Sequence, residues 1–204
     1  MKIAIIDYGI GNIKSVYNVL NNFDVLTQII NDGANLKSFN PTHIILPGVG
    51  AMGEALRLLR NRGFEESLNY FIKIKKIPFL GICVGMQVIA RNCEEFGNHK
   101  GFGWIEADVK KLNLSNKYKL PHVGWNTISV LDKKNLFLSD CDNKDFYFVH
   151  SYALQCKKKN MLSSTYYGEE FASSVKINNI YGVQFHPEKS SIQGEKVFKA
   201  FINI

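Results

Sequence analysis

Apolar runs and amphipathic helical patterns alternate along the first half of the chain, and this alternation restricts the possible folds more than any other feature. Runs typical of strands are found at residues 2–7, 25–30, 43–46 and 77–82. Helical patterns lie between these runs. The first begins after Asn12, which can cap it, and two others lie at residues 52–60 and 64–75. Strands that alternate with helices predict a parallel sheet with helices on its faces.

The second half of the chain contains more strands and fewer helices. Runs with strand character are found at residues 104–112, 126–131, 146–152, 171–177 and 180–185. A final amphipathic helix is expected at residues 195–201. There is no repeat and no linker rich in Pro, Gly or Ser. We therefore expect one α/β domain of residues 1–204, with a mixed, mostly parallel sheet flanked by helices.

Composition places the chain among ordinary globular proteins. Of its 204 residues, 46% are hydrophobic and 21% are charged. No stretch approaches the roughly 20 apolar residues of a membrane span, and the first apolar run is short and followed by Asp7. We expect a cytoplasmic protein with no membrane partner. The four cysteines form no CxxC pair and have no zinc-ligand spacing, so free thiols and no metal are expected.

The net charge of +7 raises the possibility of a nucleic-acid partner. The basic residues are scattered, and the two densest runs, at residues 73–76 and 157–159, contain no interleaved aromatic residues. No groove-reading motif accompanies them. These runs indicate solvated faces, and we expect no nucleic-acid partner.

The segment Gly81-Ile82-Cys83-Val84-Gly85 has the layout of a nucleophile elbow. An apolar strand leads into it and a helical pattern follows at once. The flanking glycines permit a tight turn and a close backbone approach. Such a turn would expose the Cys83 thiol at a helix N-terminus, where the dipole favours the thiolate. The alternative is a core cysteine before an ordinary strand-to-helix turn, because free cysteine packs well as a small hydrophobe.

His186 is the histidine best placed to serve as a base for Cys83. It ends the apolar run at residues 180–185, and Glu188 lies two residues further on, on the same side of an extended segment. A carboxylate that orients an imidazole facing a thiol is the arrangement of a Cys-His-acid triad. Cys83 and His186 both follow apolar strands, whose carboxyl ends meet at one edge of a parallel sheet. The alternative is a capped turn with exposed side chains.

A third turn follows another strand, at Pro47-Gly48-Val49-Gly50. Its backbone N–H groups could form half of an oxyanion hole, with the N–H of Val84 as the other half. Alone this turn is weak evidence, since most such turns have no catalytic role.

Taken together, these segments resemble the class I glutamine amidotransferases of the triad type. The resemblance covers nearly the whole chain, in six blocks at residues 7–12, 46–51, 81–87, 121–126, 146–152 and 182–190. It implies the single-domain fold of that family, and a glutaminase subunit that passes ammonia to a (βα)8-barrel cyclase. Met86 strengthens the resemblance to these cyclase-associated glutaminase subunits, because the anthranilate and GMP synthase relatives usually carry histidine at this position.

The resemblance also implies roles for individual residues. Cys83 would attack the side-chain amide of L-glutamine, and His186, oriented by Glu188, would move the protons. Gln87 and the backbone of His150, Ser151 and Tyr152 would hold the glutamine. The loop of Gly48, Val49 and Gly50 would complete the oxyanion hole after a peptide flip triggered by the partner's ligand. No cofactor is implied.

Four further positions match residues that face the cyclase around an ammonia passage: Asn12, Trp125, Tyr147 and Lys189. A plainer interpretation makes Asn12 a helix cap and the two aromatic residues part of the core.

The acceptor of the ammonia has two candidates. One is the imidazole ring formed in histidine biosynthesis, and the other is a surface-polysaccharide sugar, which paralogous subunits supply. The segment at residues 101–107 resembles those paralogues somewhat more. A stand-alone thiol hydrolase, active without any partner, would use the same Cys83, His186 and Glu188.

Overall fold

The computed structural model describes all residues from 1 to 204 and builds two sheets. The first half contains β1 (Lys2–Ile6), α1 (Ile13–Leu20), β2 (Leu26–Ile30), α2 (Gly33–Phe39), β3 (His43–Gly48), α3 (Met52–Asn61), α4 (Phe64–Asn69), β4 (Phe79–Cys83) and α5 (Val84–Gln87). The second half contains β5 (Asn92–Cys93), β6 (His99–Lys100), β7 (Ala107–Lys111), β8 (His122–Val130), β9 (Lys144–His150), β10 (Tyr152–Cys156), β11 (Met161–Tyr167), β12 (Glu169–Ile177), β13 (Ile180–Val183) and α6 (Ser191–Ile202).

The main sheet has nine strands in the order β2-β1-β3-β4-β13-β12-β11-β8-β9. The first five are parallel to one another, and each later strand is antiparallel to its neighbour. The predicted mixed sheet is therefore confirmed, but it is not mostly parallel, because its antiparallel pairs are as many as its parallel ones. A second sheet of four strands, β10-β7-β5-β6, packs against it and was not expected from the sequence.

The parallel strands form the centre of the core. Every residue of β3 and β4 is buried, as expected for parallel strands covered by helices on both faces. Helix α1 covers one face with Ile13, Val16 and Leu20, which recur at helical spacing. No helix has the length and apolar character needed to span a membrane.

Two helical predictions differ from the structure. Helix α2 was not predicted; it begins at Gly33, where the Asp32 carboxylate accepts a hydrogen bond from the Asn35 N–H at 2.7 Å and caps the helix. The single helix expected at residues 64–75 is two elements in the structure. Helix α4 ends at Asn69, and a π-helical turn, Tyr70–Ile74, follows it.

Strands β10 and β11 were missed, and β8 begins earlier than expected. Strand β11 buries Ser163, Ser164 and Thr165 in place of apolar side chains, so it has no hydrophobic alternation. The Ser163 hydroxyl instead hydrogen-bonds the hydroxyls of Ser173 and Ser174, at 2.8 and 2.6 Å. Buried polar groups paired in this way are compatible with a core strand but leave no pattern in the sequence.

The turn that carries Cys83 depends on two close backbone approaches. A Cβ atom on Gly85 would lie 1.7 Å from the Leu46 carbonyl oxygen, and one on Gly81 would lie 2.3 Å from the Gly85 carbonyl oxygen. Backbone atoms cannot move aside as a flexible side chain can. Glycine at these positions therefore lets α5 lie directly against β3 and β4.

We predict that Gly85→Ala lowers the free energy of unfolding by more than about 2 kcal/mol, because the backbone of β3 or α5 must shift. The matched control is Gly53→Ala in helix α3, where the three atoms nearest the added methyl group belong to the movable imidazole of His99. The helix preference for alanine should keep that change within about 1 kcal/mol. Urea unfolding of the two variants tests the prediction, and equal free energies would contradict it.

Candidate active site

The three motifs found in the sequence meet at the carboxyl ends of three neighbouring parallel strands. In the register of the sheet, Gly48 of β3 pairs with Cys83 of β4, and Val183 of β13 pairs with Ile82. His186 follows Val183 by three residues. The Pro47-to-Gly50 loop, Cys83 and His186 thus collect at one edge, where α/β sheets place their sites.

Cys83 has the strained backbone of a nucleophile elbow. Its φ of 54° and ψ of −110° lie outside the regions that residues other than glycine normally adopt. Helix α5 begins at the next residue, as expected, but has only four residues. The expectation that the turn exposes the thiol is wrong, because Cys83 is only 3% exposed. It lines a small cavity of about 100 Å³.

His186 and Glu188 form a buried pair. Nδ1 of His186 lies 2.8 Å from Oε1 of Glu188, and the two side chains are 1% and 0% exposed. The segment between them is a 3-10 turn, Pro187–Lys189, and not the extended segment that we expected. The Nε2 atom has no hydrogen-bond partner. It is therefore available to the thiol of Cys83.

The electrostatics of this pair favour a protonated imidazole. Burial alone lowers the pKa of His186, but the negative charges of Cys83 and Glu188 outweigh it and raise the pKa to about 10. An imidazolium next to Cys83 can supply a proton to a leaving group.

Asn12 supports the pair from the far side of the sheet edge. Its side-chain amide donates a hydrogen bond to Oε1 of Glu188 at 2.9 Å and makes no capping bond to helix α1. Asn12 thus occupies the N-cap position of α1, as predicted, but its side chain does not cap the helix. The same carboxylate oxygen serves His186 and Asn12, so Asn12 fixes the direction from which Glu188 approaches the imidazole.

The backbone of β9 holds the turn that carries His186. The His186 N–H donates to the Tyr147 carbonyl oxygen at 2.8 Å, and the Tyr147 N–H donates to the Ser190 hydroxyl at 3.0 Å. That hydroxyl donates to the His186 carbonyl oxygen at 2.7 Å. The backbone N–H and carbonyl groups of His186 are thus both held by hydrogen bonds.

Most of the predicted oxyanion and glutamine-binding residues line the cavity at Cys83. They are Val49, Gly50, Val84, Gln87, His150, Ser151 and Tyr152. Gly48 does not line it and lies beneath the loop, where a Cβ atom would be 2.3 Å from the Tyr8 hydroxyl oxygen.

Two residues of the cavity, Glu95 and Val149, were missed by the sequence analysis. Glu95 lies in the loop between β5 and β6 and contributes a carboxylate to the lining. Its Oε2 accepts a hydrogen bond from the Met52 N–H at 3.2 Å, and burial raises its pKa. No motif marks Glu95, because its position depends on how the second sheet packs against α3.

A chain of hydrogen bonds orients the backbone on the opposite wall. Nδ1 of His150 lies 3.0 Å from the Tyr152 carbonyl oxygen, which can only accept, so Nδ1 is the donor. Nε2 of a neutral His150 then accepts from Nδ1 of His122 at 3.1 Å. Nε2 of His122 in turn accepts from the Asn126 amide at 3.2 Å. Burial lowers the pKa of His122 to about 4 and that of His150 to about 3, so both stay neutral.

Comparisons with known proteins agree with this geometry. The sequence profile described as "Glutamine amidotransferase class-I" matches residues 4–204. The protein named imidazole glycerol phosphate synthase subunit HisH 2 of Methanococcus maripaludis is 44% identical, over 98% of each chain. Subunit HisH of Leptospira interrogans is 39% identical, over 99% of this chain and all of that one.

The chain belongs to the class I glutamine amidotransferases. The fold agrees as well, since PurLQS from Thermotoga maritima superposes with a TM-score of 0.76. That likeness, at 16% identity, covers 99% of this chain and 97% of the other. The predicted family and fold are confirmed.

An aromatic surface lies beside the active site of this amidotransferase. Trp125 is 54% exposed and meets the half-buried Tyr147 edge to face, with ring centroids 6.3 Å apart. The Lys189 ammonium lies 5.6 Å from the centre of the Tyr147 ring. The interpretation of Trp125 as a core residue is therefore wrong.

We predict a distinctive pH dependence of stability from His122. Its folded pKa is below the value of about 6.5 in the unfolded chain, so its contribution is present above pH 6.5 and is lost as the pH falls. Each such histidine lowers the free energy of unfolding by about 1.4 kcal/mol per pH unit. Between pH 6.5 and pH 5, the free energy of unfolding of His122→Gln should therefore fall less steeply than that of the wild type, by about 1.4 kcal/mol per pH unit.

Urea unfolding of the wild type and His122→Gln at several pH values in this range measures the difference. Glutamine keeps an amide donor for His150. The pKa of His43 is also lowered by burial, but His43 is common to both proteins. The pKa of His186 is raised, so it titrates above this range. Parallel curves would contradict the prediction.

Proposed function

We propose that the chain is the glutaminase subunit of an imidazole glycerol phosphate synthase. It hydrolyses L-glutamine to glutamate and ammonia and passes the ammonia to a cyclase subunit, within a single cytoplasmic domain of residues 1–204. The observation that carries the proposal is the buried pair of His186 and Glu188, 2.8 Å apart, beside the strained elbow of Cys83. The names of relatives at 36–44% identity support the choice of synthase.

The chemistry follows from the arrangement of these three side chains. The Cys83 thiolate attacks the side-chain carbonyl carbon of glutamine, and the His186 imidazolium gives its Nε2 proton to the amide nitrogen. The C–N bond then breaks, and ammonia leaves a γ-glutamyl thioester. Water attacks the thioester while His186 accepts its proton, which releases glutamate and restores the thiolate. Glu188 keeps Nδ1 protonated throughout.

The lining of the cavity fits the α-amino end of glutamine. The amide nitrogen of Gln87 donates to the Tyr152 carbonyl oxygen at 2.9 Å and to Oε1 of Gln184 at 3.2 Å. Both of its N–H groups are used, so Gln87 offers its oxygen to a ligand. That oxygen and the Glu95 carboxylate are acceptors suited to an ammonium group. The backbone of residues 150–152 forms the opposite wall.

The oxyanion hole is the part that a partner would control. The Val84 N–H supplies one donor, and the loop at Val49 and Gly50 supplies the second. Gly50 has a φ of 83°, and no atom lies within 4 Å of the Cβ position. This peptide therefore has room to rotate. Because Cys83 is only 3% exposed, we expect the free subunit to turn over slowly.

The surface of Trp125, Tyr147 and Lys189 is our proposed contact with a (βα)8-barrel cyclase. Exposed aromatic residues are typical of the central part of protein interfaces. Asn12, which hydrogen-bonds Glu188, would stand beside the ammonia passage. Ammonia is mostly protonated in water at neutral pH, and the ammonium ion is no nucleophile. A dry passage therefore preserves the reactive form.

The other proposed acceptor, a polysaccharide sugar, receives no support from the relatives. Those at 36–44% identity carry the name of the imidazole glycerol phosphate synthase subunit. The two acceptors are distinguished by assaying the chain with its cognate cyclase for glutamine-dependent formation of imidazole glycerol phosphate.

We predict that Cys83→Ala lowers glutamine hydrolysis in the complex by at least about 10³-fold, because no other group can form the thioester. Synthesis from added ammonium salt should be unchanged, since it bypasses the thiol. The matched control is Cys141→Ala, a buried cysteine outside the cavity, which should retain wild-type hydrolysis. Undiminished hydrolysis by Cys83→Ala would overturn the nucleophile. Equal rates of glutamine hydrolysis by the wild type with and without the cyclase would contradict the proposal that the partner controls the oxyanion hole.

We predict that Glu95→Gln raises the KM for glutamine by about tenfold or more and changes kcat less. The variant loses a charge-assisted hydrogen bond to the α-ammonium group, which does not react. Steady-state kinetics of the complex measure both constants. Glu94→Gln is the matched control, because the neighbouring Glu94 is exposed and does not line the cavity. An unchanged KM in Glu95→Gln would contradict this binding role.

A further inference from the structure

Gln184 is a fully buried polar residue directly beside the reacting sulfur. It lies just after β13, two residues before His186, and its side chain is 0% exposed. Its amide nitrogen is 3.6 Å from Sγ of Cys83. Its backbone N–H donates to the Ser173 carbonyl oxygen at 2.9 Å, so its position is fixed by β12. The triad chemistry described above makes no use of it.

The direction of the hydrogen bond to sulfur follows from its neighbours. The Tyr152 carbonyl oxygen can only accept, so the Gln87 atom 2.9 Å away is the amide nitrogen. This nitrogen also donates, and the Gln184 atom 3.2 Å from it is therefore the amide oxygen. The other end of the same amide, its NH₂ group, must then point at Cys83.

A carboxamide has a property that an imidazole lacks as a partner for this sulfur. It remains a donor at every pH of the assay, whereas His186 donates only while it is protonated. The Gln184 contact can therefore stabilise the thiolate before it attacks, and again when hydrolysis of the thioester restores it. Hydrogen bonds to charged groups are among the stronger ones in proteins, and burial strengthens them further.

We propose that Gln184 is a further catalytic residue, whose amide donates to the Cys83 sulfur and holds it as a thiolate while Gln87 fixes the direction of that amide. The inference deepens the proposed function and rests on Cys83 as the nucleophile. It also connects the binding of substrate to the nucleophile, because one Gln87 amide faces both the glutamine cavity and Gln184.

The test is the pH dependence of Cys83 alkylation by iodoacetamide in the full-length chain, with the modified cysteine assigned by peptide mass. Gln184→Met has a similar volume and no N–H donor, so the midpoint of the alkylation profile should rise by about one pH unit. In Gln184→Glu a carboxylate faces the sulfur, and the rise should be larger. The control, Gln155→Met on the exposed side of β10, should match the wild type.

The other titratable groups near the sulfur are unchanged in these variants. They are His186, Tyr8 at the end of β1, and Glu95 and His150 across the cavity. A merely structural role for Gln184 would change the unfolding midpoint without moving the alkylation profile. Circular dichroism establishes that each variant is folded, and Gln184→Glu, which is isosteric, serves if Gln184→Met is not.

An alkylation profile equal to the wild type in a folded Gln184 variant would overturn the proposal. In the complex, kcat/KM for glutamine should also fall at least about tenfold in Gln184→Met. Failure here is distinct from failure of the proposed function. Alkylation reports on the thiol whether or not glutamine is hydrolysed, and the Cys83→Ala assay reports on hydrolysis alone.

Discussion

The close contact between the Gly85 turn and strand β3 is the constraint on which the active site depends. It brings α5 directly over the sheet, so that Cys83 must turn through a φ of 54° at the end of β4. The parallel register then sets Gly48 on one side and the chain leading to His186 on the other. Three motifs far apart in sequence converge because their strands are neighbours.

The central parallel strands, the elbow and the His186-Glu188 pair could be predicted because each leaves a local pattern in the sequence. For the elbow and the pair, that pattern is an apolar run of strand length followed by glycine or by His-Pro. Strand β11 could not be predicted, because its buried serines satisfy one another and replace the apolar alternation. Glu95, Asn12 and Gln184 act through partners that only the tertiary fold brings close, at separations of 43 to 176 residues.

Burial has opposite consequences for the histidines of this chain. His122 and His150 have no acidic partner, and burial lowers the pKa of each, to about 4 and about 3. His186 is as well buried, yet its two acidic neighbours raise its pKa to about 10. His122 and His150 can therefore hold the wall of the glutamine cavity in place through neutral hydrogen bonds. Only His186 can carry a proton.

The Tyr152 carbonyl oxygen connects the neutral histidines to the residues beside the nucleophile. It accepts from His150, at the end of the neutral chain that begins at Asn126, and from Gln87, which faces Gln184 and the sulfur. Asn126 adjoins Trp125, on the surface that we assign to the cyclase. One continuous set of hydrogen bonds therefore runs from β8, beside that surface, to the amide of Gln87.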